Sequence, residues 1–304
     1  MINLDQLTKT FGETIAVNAV SYAIAAGEIF GVIGPDGAGK TTTLRVIATA
    51  MQPTQGSVTV DGLDVVKDAE RVKNIIGYMP QRFALYPDLT VVENLNFFAD
   101  MFGAPRAERA AQIERLLGFA RLTDFKTRRA QNLSGGMQKK LALAATLMHR
   151  PRVLLLDEPT TGVDPVSRRE FWDLLTNVHL DGVTIVVSTP YLDEAERCAH
   201  VALMHRGKLV ACDEPNRLRA QLGAFVYEAR STQARAAERA AQALAGVLNV
   251  NTYGDIVRVI VDDPARRAAL ENVWRARAIP IQRLQQVAPR LEDVFVLKIS
   301  GAFD

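Results

Sequence analysis

Gly34-Pro35-Asp36-Gly37-Ala38-Gly39-Lys40-Thr41-Thr42 follows the apolar run Ile29-Phe30-Gly31-Val32-Ile33 and leads into a stretch with helical periodicity. Strand, glycine-rich turn and helix in that order are the setting of a phosphate-binding P-loop. Glycines let successive backbone N–H groups turn toward one anion, and the N-terminus of the following helix adds favourable dipole charge. In that arrangement residues 34–42 cradle the phosphates of a nucleotide, Lys40 reaches the β- and γ-phosphates, and the Thr41 hydroxyl binds magnesium.

Downstream, Val153-Leu154-Leu155-Leu156 ends in Asp157-Glu158. Magnesium takes hard oxygen ligands, and Asp157 at the C-terminal edge of a strand supplies one. Glu158, pointing elsewhere, is placed to polarise an attacking water as general base. A strand followed by Asp-Glu is by itself more often structural; behind a P-loop it reads as part of a nucleotide site.

Apolar runs at 29–33, 153–156 and 183–187 alternate with helical patterns, among them a charged helix over 165–178, so residues 1–215 read as α/β. The later runs are β-branched and leucine-rich with little polar alternation, as expected of parallel strands covered on both faces. Residues 91–150 carry little strand signal and read as a mostly helical insert, with helices over 95–102, 107–119 and 136–148. The pattern breaks at Asp213-Glu214-Pro215-Asn216. Beyond it come a strand over 224–229, a helix over 233–245, two strands around Tyr253-Gly254-Asp255, a helix over 264–277 and a strand over 279–286. This β-α-β-β-α-β order predicts a small α+β ferredoxin-like domain over 216–304, closed by a helix over 291–297.

The chain has 304 residues with 36 basic and 34 acidic side chains, a net charge of +2, so no strong global field recruits nucleic acid. Hydrophobic residues make up 48% and charged residues 23%, which argues for folded domains rather than disorder. The longest stretches without a charged residue, such as 46–60, run only 15 residues, shorter than the roughly 20 apolar residues of a membrane span, and are interrupted by polar residues. Met1-Ile2-Asn3-Leu4-Asp5 has no signal-peptide character, so the chain is expected in the cytoplasm. Cys198 and Cys212 read as buried or incidental thiols, and no zinc site is expected.

Leu133-Ser134-Gly135-Gly136-Met137 on its own reads equally well as a helix N-cap with a turn. Together with the two phosphate motifs it makes residues 1–215 resemble the nucleotide-binding subunit of an ATP-binding cassette (ABC) transporter. The resemblance implies a P-loop NTPase cassette with a parallel-sheet core, an antiparallel β edge and a helical insert. It also implies ATP and Mg2+ as cofactors, and ATPase activity coupled to transport. Phe11, 29 residues before Lys40, matches the family's adenine-stacking aromatic, although a lone Phe is otherwise a core residue. Gln81, after Tyr78-Met79-Pro80, matches the glutamine that joins catalysis and the magnesium site to the insert, so Thr41, Gln81 and Asp157 are the metal candidates. Thr161-Gly162-Val163-Asp164 fits the loop across a dimer interface. Ser134, Gly135 and Gly136 would face the γ-phosphate held by a second cassette, which could be an identical chain, a different one or a tandem fusion. Transmembrane permease subunits are the other implied partner, docking near 86–102, where Leu89, Val91, Phe97 and Phe98 read equally as core. The expected location is peripheral, on the inner face of the plasma membrane.

One position departs from the family. The switch histidine is replaced by Pro190 in Ser188-Thr189-Pro190-Tyr191-Leu192-Asp193-Glu194. Proline has neither a hydrogen-bonding side chain nor a backbone N–H, so it cannot sense a γ-phosphate or hold a water. His149, His179, His200 and His205 sit elsewhere in the pattern. Asp36, where the family more often has asparagine, is expected to tune binding rather than abolish it. The site therefore reads as fit to bind MgATP and impaired in cleaving it. Gly207-Lys208-Leu209-Val210 and Leu291-Glu292-Asp293-Val294-Phe295 resemble the bacterial branch exporting drugs, antibiotics or polysaccharides, though the latter also reads as a packing helix. A nucleotide-sensing regulatory subunit and a non-transport ABC ATPase are the alternative readings.

Overall fold

A computed structural model describes residues 1–82 and 85–300. It divides into two compact units, Met1–Cys212 and Asp213–Asp304. Residues 301–304 of the expected second domain lie outside the described residues.

The first unit opens on two long strands, β1 (Ile2–Phe11) and β2 (Thr14–Ile24), followed by β3 (Ile29–Ile33) and α1 (Lys40–Ile47). Next come β4 (Gln55–Val60), the two-residue β5 (Leu63–Asp64), α2 (Ala69–Ile75) and β6 (Ile76–Met79). The helical insert holds α3 (Val91–Met101), α4 (Arg106–Phe119) and, after two 3₁₀ turns, α5 (Gly135–Thr146). The chain then returns through β7 (Val153–Asp157), α6 (Pro165–Leu180), β8 (Thr184–Thr189), the four-residue α7 (Leu192–Ala195), β9 (His200–His205) and β10 (Lys208–Asp213).

Two sheets result. An antiparallel sheet runs β2-β1-β4-β5, and a second runs β10-β9-β3-β8-β7-β6, parallel from β9 through β6. Every residue of β3, β7 and β8 is buried, as the continuous apolar runs require of a sheet covered on both faces. Ile2, Val20 and Val60 of the antiparallel sheet share one core with Leu44 and Ile47 of α1 and with Leu155 and Val186 of the parallel sheet. Each such buried aliphatic side chain contributes about 1.5–3 kcal/mol. The apolar α5 is buried on most of its surface and packs on α3, α6 and β6, which ties the insert to the sheet.

The second unit contains α8 (Pro215–Ala220), β11 (Phe225–Arg230), α9 (Ala234–Gln242), β12 (Val247–Tyr253), β13 (Ile256–Val261), α10 (Arg266–Ala276), β14 (Arg283–Val287) and α11 (Leu291–Ser300). Its sheet is antiparallel in the order β12-β13-β11-β14, giving the ferredoxin-like arrangement. Val257, Val259 and Val261 pack with Ala237, Ala240 and Trp274 of α9 and α10, so the two-residue period marks one buried face. Several expected boundaries shift. The strand predicted from 279 begins at Arg283, because Pro280 lacks the N–H a ladder needs, and buried Ile279 serves the core instead. The helix predicted from 264 begins at Arg266, after Asp263 accepts the Ala265 N–H in a local turn. The helix over 233–245 is trimmed to Ala234–Gln242.

Candidate nucleotide site

β3, β8 and β7 are neighbours in the parallel sheet, with Ile33 opposite Thr189 and Asp157 opposite Ser188. The loops leaving their C-terminal ends therefore meet at one edge, where open α/β sheets hold ligands. The 34–39 loop follows β3, and Gly39 has φ +101, with a Cβ there falling 2.5 Å from the Ala16 carbonyl oxygen. Only glycine fits that turn into α1.

Lys40, 3% exposed, opens α1. Its Nζ donates to the carbonyl oxygens of Gly34 at 2.8 Å and Pro35 at 3.0 Å, and lies 3.1 Å from Glu158 Oε1. The other Glu158 oxygen accepts from Gln81 Nε2 at 2.9 Å and from the Thr161 hydroxyl at 3.3 Å. Glu158 itself has φ +47, a left-handed conformation that costs a non-glycine residue roughly 1 kcal/mol or more. It is held there by its N–H, which donates to Ser188 Oγ at 3.0 Å and to the Ser188 carbonyl oxygen at 3.1 Å.

Asp157 is completely buried. Its Oδ1 accepts from Thr41 Oγ1 at 3.0 Å and Ser188 Oγ at 2.7 Å, while Oδ2 is buried with no hydrogen-bond partner. Leaving a buried carboxylate oxygen unpaired costs at least about 1–3 kcal/mol, a cost a cation would relieve. A hard carboxylate oxygen beside a hydroxyl suits Mg2+, which takes few protein ligands and keeps waters and substrate phosphates. No group of three or more His, Cys, Asp or Glu able to hold a metal occurs among the described residues. Gln81 is brought to Glu158 rather than to the Thr41–Asp157 pair.

The remaining expected residues lie around this cluster. Pro35, Asp36 and Gly37 are exposed on the loop, so the Asp36 carboxylate stays in solvent, whereas Ala38 is buried and Thr42 half-buried. Phe11 ends β1 with 48% of its surface exposed and the Lys9 ammonium 5.2 Å from its ring centre. Ser134 caps α5 by accepting the Met137 N–H at 3.3 Å, and Gly135 begins the helix. At Gly136 a Cβ would fall 2.6 Å from Ser167 of α6, so the close approach of the two helices requires glycine. Asp164 caps α6 by accepting the Val166 and Ser167 N–H groups at 3.0 and 2.9 Å, and its bonds to Ser167 hold its carboxyl below the ordinary range. Among the described residues, Ser134, Gly135, Gly136 and Asp164 make no hydrogen bond to Lys40 or Glu158.

Pro190 follows β8 directly. His149 bonds the Ile76 carbonyl oxygen at 2.8 Å and His200 the Glu28 carboxylate at 2.7 Å, so neither is placed to replace a switch histidine. His179 lies in α6 and His205 ends β9.

Sequence reasoning missed Ser188 and Lys139 as site residues, and it gave Thr161 only as part of the interface loop, not as a partner of Glu158. Lys139 of α5 donates to the Gln81 carbonyl oxygen at 3.1 Å; burial pulls its ammonium pKa down while Asp157 and Glu158 act in the opposite direction. A cavity of about 300 Å³ opens beside it, lined by Gln81, Gly135, Thr161 and Val163 among others. The polar pair Ser188-Thr189 closing an apolar strand was the available signal for Ser188.

The ABC transporter family model matches residues 17–161. Across 99% of its length the chain is 40% identical to the "Probable multidrug ABC transporter ATP-binding protein YbhF" of Escherichia coli (strain K12), covering 52% of it, so the chain spans about half that relative's length. It is 34% identical to the "Nod factor export ATP-binding protein I" of Ralstonia nicotianae over 99% of this chain and 94% of that one. Among solved structures, the dimeric post-hydrolysis state of the ATP-binding cassette MJ0796 bound to ADP and Pi aligns with a TM-score of 0.64 and 29% identity, over 70% of this chain and 98% of that one.

Proposed function

The chain belongs to the ABC transporter family, as an ATP-binding cassette, and on that premise we propose that it powers or gates an exporter through MgATP-driven pairing with a second cassette. The observation that carries the reading is the buried Lys40 ammonium, shared between two loop carbonyls and Glu158 beside an Asp157 oxygen without a partner. Residues 34–42 receive the triphosphate and Phe11 stacks on adenine. Lys40 exchanges Glu158 for phosphate oxygens, which frees the carboxylate to take a proton from water. Gln81 and Thr161, both bonded to Glu158, orient it. Bound magnesium, held by Thr41 and Asp157, would neutralise charge on the phosphates.

Hydrolysis by this site is slow, because Pro190 offers no side-chain group to hold the water or the γ-phosphate. Ser134, Gly135 and Gly136, at the N-terminus of α5, serve the ATP of the second cassette, and the 161–164 loop lies across the pair. That cassette is a separate chain or a tandem fusion; the Escherichia coli relative has room for one. The names of the relatives, multidrug for one and Nod factor export for the other, favour the exporter class. No described helix is long and apolar enough to cross a membrane. In this reading the cassette works on the inner face with transmembrane permease subunits.

The insert offers the docking surface. Buried Asn94 accepts the Tyr86 N–H at 2.9 Å and donates to the Tyr86, Leu89 and Thr90 carbonyl oxygens, folding that loop onto α3. Val91 and Phe98 go to the core, leaving Tyr86 and Phe97 exposed with ring centres 4.3 Å apart. The second unit, which has no phosphate loop, stabilises or regulates the assembly. Titration of a fluorescent ATP analogue into wild type and Lys40→Ala tests the site. Removing a charged hydrogen-bond donor should weaken binding by about tenfold or more, and equal affinities would end the P-loop reading.

A further inference from the structure

Glu194 of α7 is a carboxylate that the nucleotide site does not use, and it is only 1% exposed. Its Oε1 accepts from Thr160 Oγ1 at 2.6 Å and its Oε2 from Thr189 Oγ1 at 2.6 Å. Both threonines are also 1% exposed. Thr160 lies two residues beyond Glu158, and Thr189 is the last residue of β8, next to Pro190. The Thr189 hydroxyl oxygen in turn accepts the Tyr191 N–H at 3.1 Å. The nearest cation is Arg168, whose Nε stands 3.7 Å from Glu194 Oε1; its guanidinium lies 4.2 Å from the Tyr191 ring centre, with Asp193 3.8 Å away on its other side. A carboxylate buried with two hydroxyls as its hydrogen-bond donors is costly next to an apolar residue of the same volume. What it supplies in exchange is a fixed tie between two loops from adjacent strands.

We propose that Glu194 is a positioning residue for ATP hydrolysis, tying the loop after Glu158 to the end of β8 so that the Glu158 and Pro190 segments move as one body. The proposal rests on the reading of Glu158 as general base. Ser188 fastens the Glu158 N–H from one side. Through Thr160, Glu194 fastens the chain two residues later, so the left-handed Glu158 is pinned at both ends. The same carboxylate holds Thr189, the anchor of a segment in which residue 190 has no hydrogen-bonding side chain.

The test uses the full chain with Thr160→Val, Thr189→Val, the double variant, and Thr160→Ser, which keeps the hydroxyl. The first readout is amide hydrogen exchange at Tyr191 without nucleotide. Tyr191 makes no bond to Thr160, yet Thr160→Val should speed its exchange by about tenfold if the bridge couples the loops, the equivalent of one charged hydrogen bond. Unchanged exchange would overturn the tie. The second readout is single-turnover hydrolysis beside MgATP affinity. Each Val variant should lower the rate about tenfold with affinity within about twofold, the double should be no slower than either single, and Thr160→Ser should match wild type. Rate losses that multiply, to about a hundredfold in the double, would show two independent residues and overturn the proposal. Turnover indifferent to Glu158→Gln would instead end the general-base reading, leaving the exchange result to decide the tie alone.

Discussion

Each unit of this protein buries a cation against carboxylates, and the two clusters are built oppositely. In the second unit every nitrogen of Arg258 has a partner: Nε donates to Asp293 Oδ1 at 2.9 Å, Nη2 to Asp293 Oδ2 at 2.6 Å and to the Ala288 carbonyl oxygen at 3.2 Å, and Nη1 to Glu228. Asp293 also accepts the Arg290 N–H at 2.7 Å. Burial works against the Arg258 cation, but the Asp293 and Glu228 carboxylates more than offset it and raise its pKa. In the first unit the Lys40 ammonium is shared with Glu158, Glu158 sits in a strained backbone conformation, and Asp157 keeps an oxygen without a partner. A saturated buried ion cluster fastens elements together, here α11 to its sheet. An unsaturated one is built to receive a ligand, because its remaining valence is satisfied only when something binds.

The sharpest break of that contrast is Arg258→Met. Removing the cation leaves Asp293 and Glu228 facing each other without it, so the second unit should lose about 3–5 kcal/mol in denaturant unfolding, with MgATP affinity unchanged. A parallel fall in affinity would show that the second cluster is not merely a fastener. Glu158→Gln should do the converse, lowering single-turnover hydrolysis by about a hundredfold. Its effect on nucleotide-free stability should be smaller than that of Arg258→Met, since Lys40 keeps its two carbonyl acceptors. Full-speed hydrolysis by wild type would mean that another group does the work of the missing histidine.

Pro190→His should raise the hydrolysis rate only severalfold, because the loop was shaped around a residue with φ fixed near −65°. No gain in the presence of a complete partner cassette would place the limitation outside this segment. The smallest effect concerns His149, whose pKa is lowered by burial, with the bond to the Ile76 carbonyl oxygen acting the other way. Below about pH 6.5 the unfolded chain then binds a proton that the folded chain resists, so stability falls as pH drops through that range. Unfolding midpoints at pH 7.5 and 5.5 should differ less in His149→Gln than in wild type; an equal difference would assign the acid sensitivity to other groups.

The strand Ile29–Ile33 was legible to the residue, and the β-α-β-β-α-β order of the second unit was legible from period and punctuation. The long strands β1 and β2 were not singled out, although an antiparallel edge was expected. Their pairing is interrupted by register shifts, and Gln6 and Ala19 take positive φ, so the alternation that announces a strand is broken. Phe97 and Phe98 are adjacent and equally apolar, yet one is exposed and the other buried, a division set by how α3 rotates against its neighbours.

The sequence by itself determined the phosphate loop, the two carboxylates at the end of β7, the family and the proline at the switch-histidine position. Each of these is a local property, carried by residue types at fixed spacing along one segment. Only the tertiary structure decided that Lys40 meets Glu158, that Ser188 holds both Asp157 and the Glu158 N–H, and that Glu194 joins Thr160 to Thr189. Those partners lie on or beside different strands and helices, which the parallel sheet brings together; its register is set by packing on both of its faces, which no single segment encodes.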